Sequence, residues 1–337
     1  MPTKDELTDE LLRWEEIKNE DWSGILIGNG SSIAIWDKFK YSSIFTTACS
    51  HQIANPLNRY DKRIFNEFST ENFELVLSSL STAKKINRIF KIRVGKIINR
   101  YNSIKQSLIQ SIKAVHIPWE NTPSTALDVI RTELLKYKFV FSTNYDLLIY
   151  WSIMHKGGKG FKDLFYEEDF SVNEAKKFFG RSTRVLYLHG GLHLYEEPTG
   201  HSLKRRAEPF NNLLDLFGTP FGNNATPLII TEGSSEDKLT SINQSEYLSY
   251  AFSEFKNHNN SLIIFGHSLS DHDEHITSAI KEWGNKKIAV SIMPRATNQI
   301  ARSKARYIQK LGITRVEFFD ATTFPLGLKT LKVPDNP

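Results

Sequence analysis

The sequence predicts an α/β protein: a doubly wound, mainly parallel sheet with a helical insertion and a loop-rich cap. Three observations predict it. Short runs rich in Ile, Val and Leu recur along the 337 residues. None alternates cleanly with polar residues, so both faces of each strand are expected to be buried, as in a parallel sheet covered by helices. Long helical or loop stretches separate the runs, which suits crossover connections rather than hairpins.

Taken in order, residues 1–22 are acidic and amphipathic and read as an N-terminal helix. They lack the basic start, apolar centre and small-residue cleavage site of a signal peptide. Residues 23–331 form the expected main domain, with strands at Gly24–Ile27, Phe139–Ser142, Val185–Leu188, Leu228–Thr231, Leu262–Phe265, Ile288–Ile292 and Val316–Phe319. Residues 55–117 read as a helical insertion between the first two strands, and 196–227, punctuated by Gly, Pro and Asn, as a cap. The tail, 332–337, is expected to fray.

Composition removes several function classes. With 40% apolar and 24% charged residues, a packed core forms and global disorder is excluded. No apolar run reaches the roughly 18 residues of a membrane span, so no membrane contact and a cytoplasmic location are expected. The single cysteine, Cys49, rules out an internal disulfide framework and a four-cysteine zinc site. A net charge of +5 is too small to imply nucleic acid by itself. It is unevenly spread, however. Between Leu75 and Trp119 there is no Asp or Glu, while Lys84, Lys85, Arg88, Lys91, Arg93, Lys96 and Arg100 fall there. With Ile86, Ile89, Phe90, Ile97 and Tyr101 at helical spacing, this reads as a basic amphipathic helix: a solvated face, or a docking face for an acidic partner or nucleic acid.

Four polar clusters follow expected strands, where doubly wound folds bind ligands. Gly28-Asn29-Gly30-Ser31-Ser32 is a simple tight turn or a loop whose glycines admit a phosphate. The dinucleotide fingerprint breaks down there: Ile33 holds its third glycine position, and no Asp or Glu lies between Lys38 and Tyr60 to hold a ribose. Thr143-Asn144-Tyr145-Asp146 is either a water- and ribose-orienting pair or an Asn/Asp turn with Asp146 as helix cap. His189-Gly190-Gly191 places a histidine for base work, or one bonded to a nearby carbonyl; His193 offers a weak metal pair with it. Gly266-His267-Ser268-Leu269-Ser270-Asp271 suits the adenosine end of a nucleotide. The same stretch looks like a hydrolase nucleophile elbow, but the last histidine is His275, too early for the triad. His267, Asp271, His272, Asp273 and His275 could alternatively ligate a metal or begin a polar helix.

In this order the clusters resemble the sirtuin-like superfamily, and more closely its bacterial anti-phage branch, whose members hydrolyse NAD. The resemblance covers roughly Gly24 to Asp271. It implies Asn144 and His189 as catalytic residues and Asp146 in support. It also implies Gly28, Asn29, Gly30, Ser31, Ser32 and Thr143 around the phosphates, and Gly266, Ser268 and Asp271 around the adenosine ribose. Deacylase members carry a four-cysteine zinc module that this chain lacks, so hydrolysis by water is expected, with NAD as substrate and no zinc. Because free NADase activity would drain a cell, the resemblance also implies control by self-association or by an infection-sensing partner, often an ATPase. The basic helix and the acidic N-terminal helix are the expected contact faces; nucleic acid is expected only through a partner or the basic helix.

Overall fold

The computed structural model describes residues 8–176, 180, 182–207, 212–284, 287–294, 299–313 and 315–334. Its strands are β1 (Gly24–Ile27), β2 (Phe139–Ser142), β3 (Phe161–Lys162), β4 (Phe165–Tyr166), β5 (Asp169–Phe170) and β6 (Thr183–Tyr187). They continue with β7 (Gly190–Glu196), β8 (Ser202–Lys204), β9 (Thr226–Ile229), β10 (Leu262–Phe265), β11 (Ile288–Ile292) and β12 (Val316–Asp320). Seven of them form a parallel sheet in the order β12-β11-β10-β1-β2-β6-β3. β1, β10 and β11 are buried at every residue, which follows from their unbroken Ile, Leu and Val runs lying between two helical layers.

The chain builds outward from β1 through β2 to β6, then returns and builds the other way through β10, β11 and β12. The order therefore reverses at β1, which is where such sheets open a crevice. Register puts the ends level: Ile27 pairs with both Ser142 and Phe265, and Ser142 with Tyr187. The four polar clusters thus emerge at one height.

A second, antiparallel sheet, β4-β5-β8-β7-β9, was not expected. Its strand β9 corrects the expectation for Leu228–Thr231: that apolar run pairs antiparallel with β7 instead of joining the main sheet. The seventh parallel strand is the two-residue β3, which pairs with β6. The range 196–227, expected as loops, contains β8 and a short helix, Leu213–Leu216.

The range 55–117 holds helices Arg59–Glu67, Phe73–Ile89 and Gly95–Val115. Asn58 and Asn72 begin the first two by accepting backbone N–H groups in their first turns. Asp61, fully buried, accepts from Arg100 at 3.0 Å and Ser103 at 2.9 Å and ties the first helix to the third. The N-terminal expectation is corrected. Residues 1–7 lie outside the described residues, and helix in 8–22 is confined to Trp14–Ile17. Instead, Leu12 bridges in parallel to Phe319, covering the edge of β12 and satisfying its backbone groups. Among the described residues no helix is long and apolar enough to cross a membrane.

Candidate functional site at the sheet switch point

At the carboxyl ends of β1, β2, β6 and β10 lies a cavity of about 510 Å³. Asn29, Gly30, Thr143, Asn144, Asp146, His189, Gly266 and Ser268 all line it. A second cavity of about 250 Å³ shares Gly30, Gly266, His267 and Ser268 as a wall and continues toward Ser291, Arg306 and Tyr307. A wider surface depression near His201 and Tyr250 gathers no comparable set of buried polar groups. The switch-point cavity is closed on its far side by the insertion, through Phe73, Glu74, Leu108 and Ile112.

The shared wall is a crossing of two backbones. Gly28 N–H donates to Phe265 O at 3.0 Å and Gly30 N–H to Gly266 O at 2.8 Å. A Cβ on Gly30 would lie 2.8 Å from Gly266 Cα, and one on Gly266, whose φ is +67°, would lie 2.4 Å from Ser31 N. These glycines are required by the crossing itself. This corrects the phosphate-loop reading in part: Gly28 is buried beneath the loop at His267, and the Gly30 amide is already engaged.

Asn144 is held by donor counting. The Ser31 hydroxyl donates to Gly28 O at 2.9 Å and the Ser32 hydroxyl to Asp146 Oδ2 at 2.6 Å. Both serine oxygens are left as acceptors, and Asn144 Nδ2 donates to them at 3.1 and 2.9 Å. That fixes the amide orientation. Asn144, only 4% exposed, keeps its Oδ1 without a partner. Such a buried acceptor is uncommon, because leaving it unsatisfied costs roughly 1–3 kcal/mol. Asp146 accepts from Ser32 and from Leu148 N–H at 2.9 Å in the first turn of the next helix, which is the helix-start reading of this cluster. Thr143 faces the cavity, but its hydroxyl donates to Ile27 O at 3.2 Å.

His189 sits in the turn between β6 and β7, 2% exposed. Burial, with Lys238 and His275 nearby, pushes its pKa well below 6.5, although Asp273 opposes the shift. The ring is therefore neutral at pH 7. Beneath it, fully buried Lys238 donates to Glu74 and to Asp273, each at 2.7 Å. Burial alone would raise Asp273, yet Lys238 foremost, with His267 and His189, holds its carboxyl well below the usual range. Glu74 and Asp273 both line the cavity, and the sequence reading did not single out Glu74. Its helix is remote in sequence, and no local motif marks it.

Two other expectations move. Asp271 points away, 88% exposed and paired with Lys310; its neighbour Asp273 takes the interior position. His193 is no partner for His189. It is buried between the rings of Tyr150 and Tyr187, where burial lowers its pKa to about 3. Of the histidine-rich stretch, His275 and Asp273 do converge with His189, their ligand atoms within 4.8 Å of one another. The Lys238 ammonium bonded to Asp273 already supplies the cation there, and a divalent ion beside it would meet strong repulsion. Purified protein is expected to contain well under one zinc per chain by elemental analysis. A stoichiometric ion, lost together with His275, would reverse that assignment.

A solved structure described as "Structural Basis for the Mechanism and Regulation of Sir2 Enzymes" aligns with 94% of this chain and 93% of its own, at 12% identity and a TM-score of 0.38. No curated protein matches the sequence. A family model covers residues 25–325, from β1 through β12, and so takes in every element of the cavity described above. The chain therefore belongs to the family described as a domain of unknown function, DUF4917.

Proposed function

We propose that this protein cleaves the nicotinamide–ribose bond of NAD with water, giving nicotinamide and ADP-ribose, and that it serves bacterial anti-phage defence by depleting NAD. The observation that carries the reading is the unpartnered Asn144 Oδ1 in the cavity that neutral His189 also lines, with a second cavity on the other side of a shared glycine wall. Two cavities joined at a narrow wall suit the two halves of a dinucleotide. The nicotinamide ribose would lie with Asn144 and His189, and the adenosine would lie toward Ser291 and Tyr307. The motif order of the sequence, which resembles the sirtuin-like anti-phage branch, supports the same choice.

The chemistry asks little of an acid. Nicotinamide leaves as a neutral ring from a cationic one, so the barrier is charge development at the ribose carbon. Asn144 Oδ1 would accept from the attacking water or a ribose hydroxyl, and His189 would take the proton. Glu74 and Asp273 put carboxylates on the cavity wall, where they favour positive charge on the sugar. NAD is the substrate, and no zinc or other cofactor enters the scheme. The second reading is a sensor that binds NAD or ADP-ribose without cleaving it, or a scaffold subunit; the engaged Gly30 amide favours it by removing one phosphate donor. Incubation of purified protein with NAD and separation of products decides between them: bound but intact NAD would support the sensor.

Control by assembly is part of the proposal. The single basic helix expected here is instead a hairpin, because the chain turns between helices Phe73–Ile89 and Gly95–Val115. Behind its tip, cations are paired within the chain: Lys85 with Asp237, Arg100 with Asp61 and Lys105 with Glu232. At the tip, Arg88, Lys91, Arg93 and Lys96 make no ion pair among the described residues, and Ile89 and Phe90 are 78% and 69% exposed. An acidic face of a partner protein fits this tip by charge. Glu10, Glu15 and Glu16, exposed near the N-terminus, give a second copy of the chain such a face. Light scattering should show an oligomer that Arg88→Glu with Lys91→Glu disperses, with NAD turnover falling alongside. A monomer with full turnover would end the assembly proposal.

A further inference from the structure

His189 does not face the cavity alone. Its Nε2 lies 2.8 Å from Nε2 of His275. His275 Nδ1 in turn lies 3.0 Å from Ser235 Oγ, which also accepts the backbone N–H of His275 at 2.6 Å. Two neutral rings can share such a contact only when one nitrogen bears hydrogen and the other a lone pair.

We propose that His275 is a positioning residue for His189: it accepts the hydrogen bond of His189 Nε2–H, leaving His189 Nδ1 as the lone-pair nitrogen for the cavity, while Ser235 fixes the His275 ring. This rests on the NAD-cleaving reading, since it names the accepting atom of that same site. Donor counting is consistent with it. With Nε2 as acceptor, His275 Nδ1–H donates to Ser235 Oγ, whose two lone pairs are then filled. Ser235 is only half-buried, so its own hydroxyl proton can reach solvent. The reverse arrangement would put hydrogen on His189 Nδ1 and leave the ring no lone pair for the cavity.

The surroundings fit a ring that is neutral at rest and able to take one proton. Burial holds His275 down to about 4, with Lys238 and His267 adding to the effect and Asp273 opposing it. The groups facing the pair are Lys238 from helix Ser235–Gln244, His267 and Asp273 from the segment after β10, and Glu74 through its bond to Lys238. When His189 Nδ1 accepts a proton from water or a ribose hydroxyl, its Nε2–H keeps donating to His275 Nε2 and the new charge lies near Asp273. No other bond changes on the protein.

The test compares wild type with His275→Ala and His275→Gln. In His275→Ala, kcat should fall about 10–100-fold, as for other supports of a reactive group, with KM changed by less than about two-fold. Water entering beside His189 relieves its desolvation, so the acid limb of kcat/KM should move up toward pH 6.5. His275→Gln keeps an acceptor and should recover most of the rate, which also guards against a folding defect in the alanine variant. Independently of NAD, ring-nitrogen NMR at pH 7 should show His189 hydrogen on Nε2 in wild type and a mixture of tautomers in His275→Ala. An unchanged tautomer, or an unchanged rate and pH profile in His275→Ala, would overturn the proposal. If wild type lacks NAD turnover, the functional reading fails while the NMR comparison still decides this one.

Discussion

Asn144→Ala and His189→Ala are each expected to lower NAD turnover by about 10²–10⁴-fold, the usual range for a positioned acid or base. Asn144 supplies a buried acceptor left open in the cavity, and His189 a neutral ring lining the same cavity. Neither change is confined to a loop surface, because both side chains are buried. Asn144→Ala also removes the donor to Ser31 and Ser32, so a stability loss of about 1–3 kcal/mol should accompany it. Asn144→Asp separates the two effects: it keeps the shape but puts acceptors against serine oxygens that are already acceptors. Circular dichroism melting run beside product analysis distinguishes a folded, inactive variant from an unfolded one. Full turnover in both alanine variants would refute the site.

Lys238→Met should be the most destabilising single change in the site, by about 3–5 kcal/mol at pH 7, because it strands the buried carboxylate of Asp273 and the half-buried one of Glu74. The pH dependence follows from the directions of the shifts. Asp273 is depressed in the folded state, so its stabilising contribution is present above its unfolded value of 3.8 and is lost as pH falls through the folded one. Burial alone would lower Lys238, but Glu74 and Asp273 outweigh it and raise the ammonium. Its contribution is therefore complete below 10.5 and is lost only as pH rises through the elevated value. Between those limits wild type keeps both contributions. In Lys238→Met these carboxylates no longer have a cation, and protonating them relieves the strain. Urea unfolding should thus show a deficit that is largest at pH 7 and shrinks toward pH 5. A deficit below about 1 kcal/mol at pH 7 would mean that solvent already screens the cluster.

Much of the frame was legible locally. The runs at Gly24–Ile27, Leu262–Phe265 and Ile288–Ile292 lack polar alternation because helices cover both faces, and that pattern alone indicates a parallel sheet. The clusters containing Asn144, His189 and Gly266 were visible because a strand end followed by Gly, Asn or His is a short-range signal. Leu228–Thr231 carries the same apolar signal, yet β9 lies in the antiparallel sheet. A four-residue run does not encode its partner. The Asp at the site was misplaced by two positions for a related reason: Asp271 and Asp273 share a short turn, and only its orientation sends one outward to Lys310 and the other inward to Lys238.

By itself, the sequence determined six of the seven strands of the parallel sheet, their buried faces and the polar residues that leave their ends, since these depend on periodicity and neighbours within a few positions. Tertiary structure alone decided which of those residues meet. Glu74 and Asp273 are 164 and 35 positions from Lys238 along the chain, yet form one charge cluster around its buried ammonium. His189 and His275, 86 apart, share one hydrogen bond. Gly30 and Gly266 line the cavity, and they also give each other's backbones room to cross. Burial then set the charge states: desolvation keeps His189 and His275 neutral and paired carboxylates keep Lys238 charged. Desolvation depends on what the whole fold places around an atom, which no local stretch of sequence specifies.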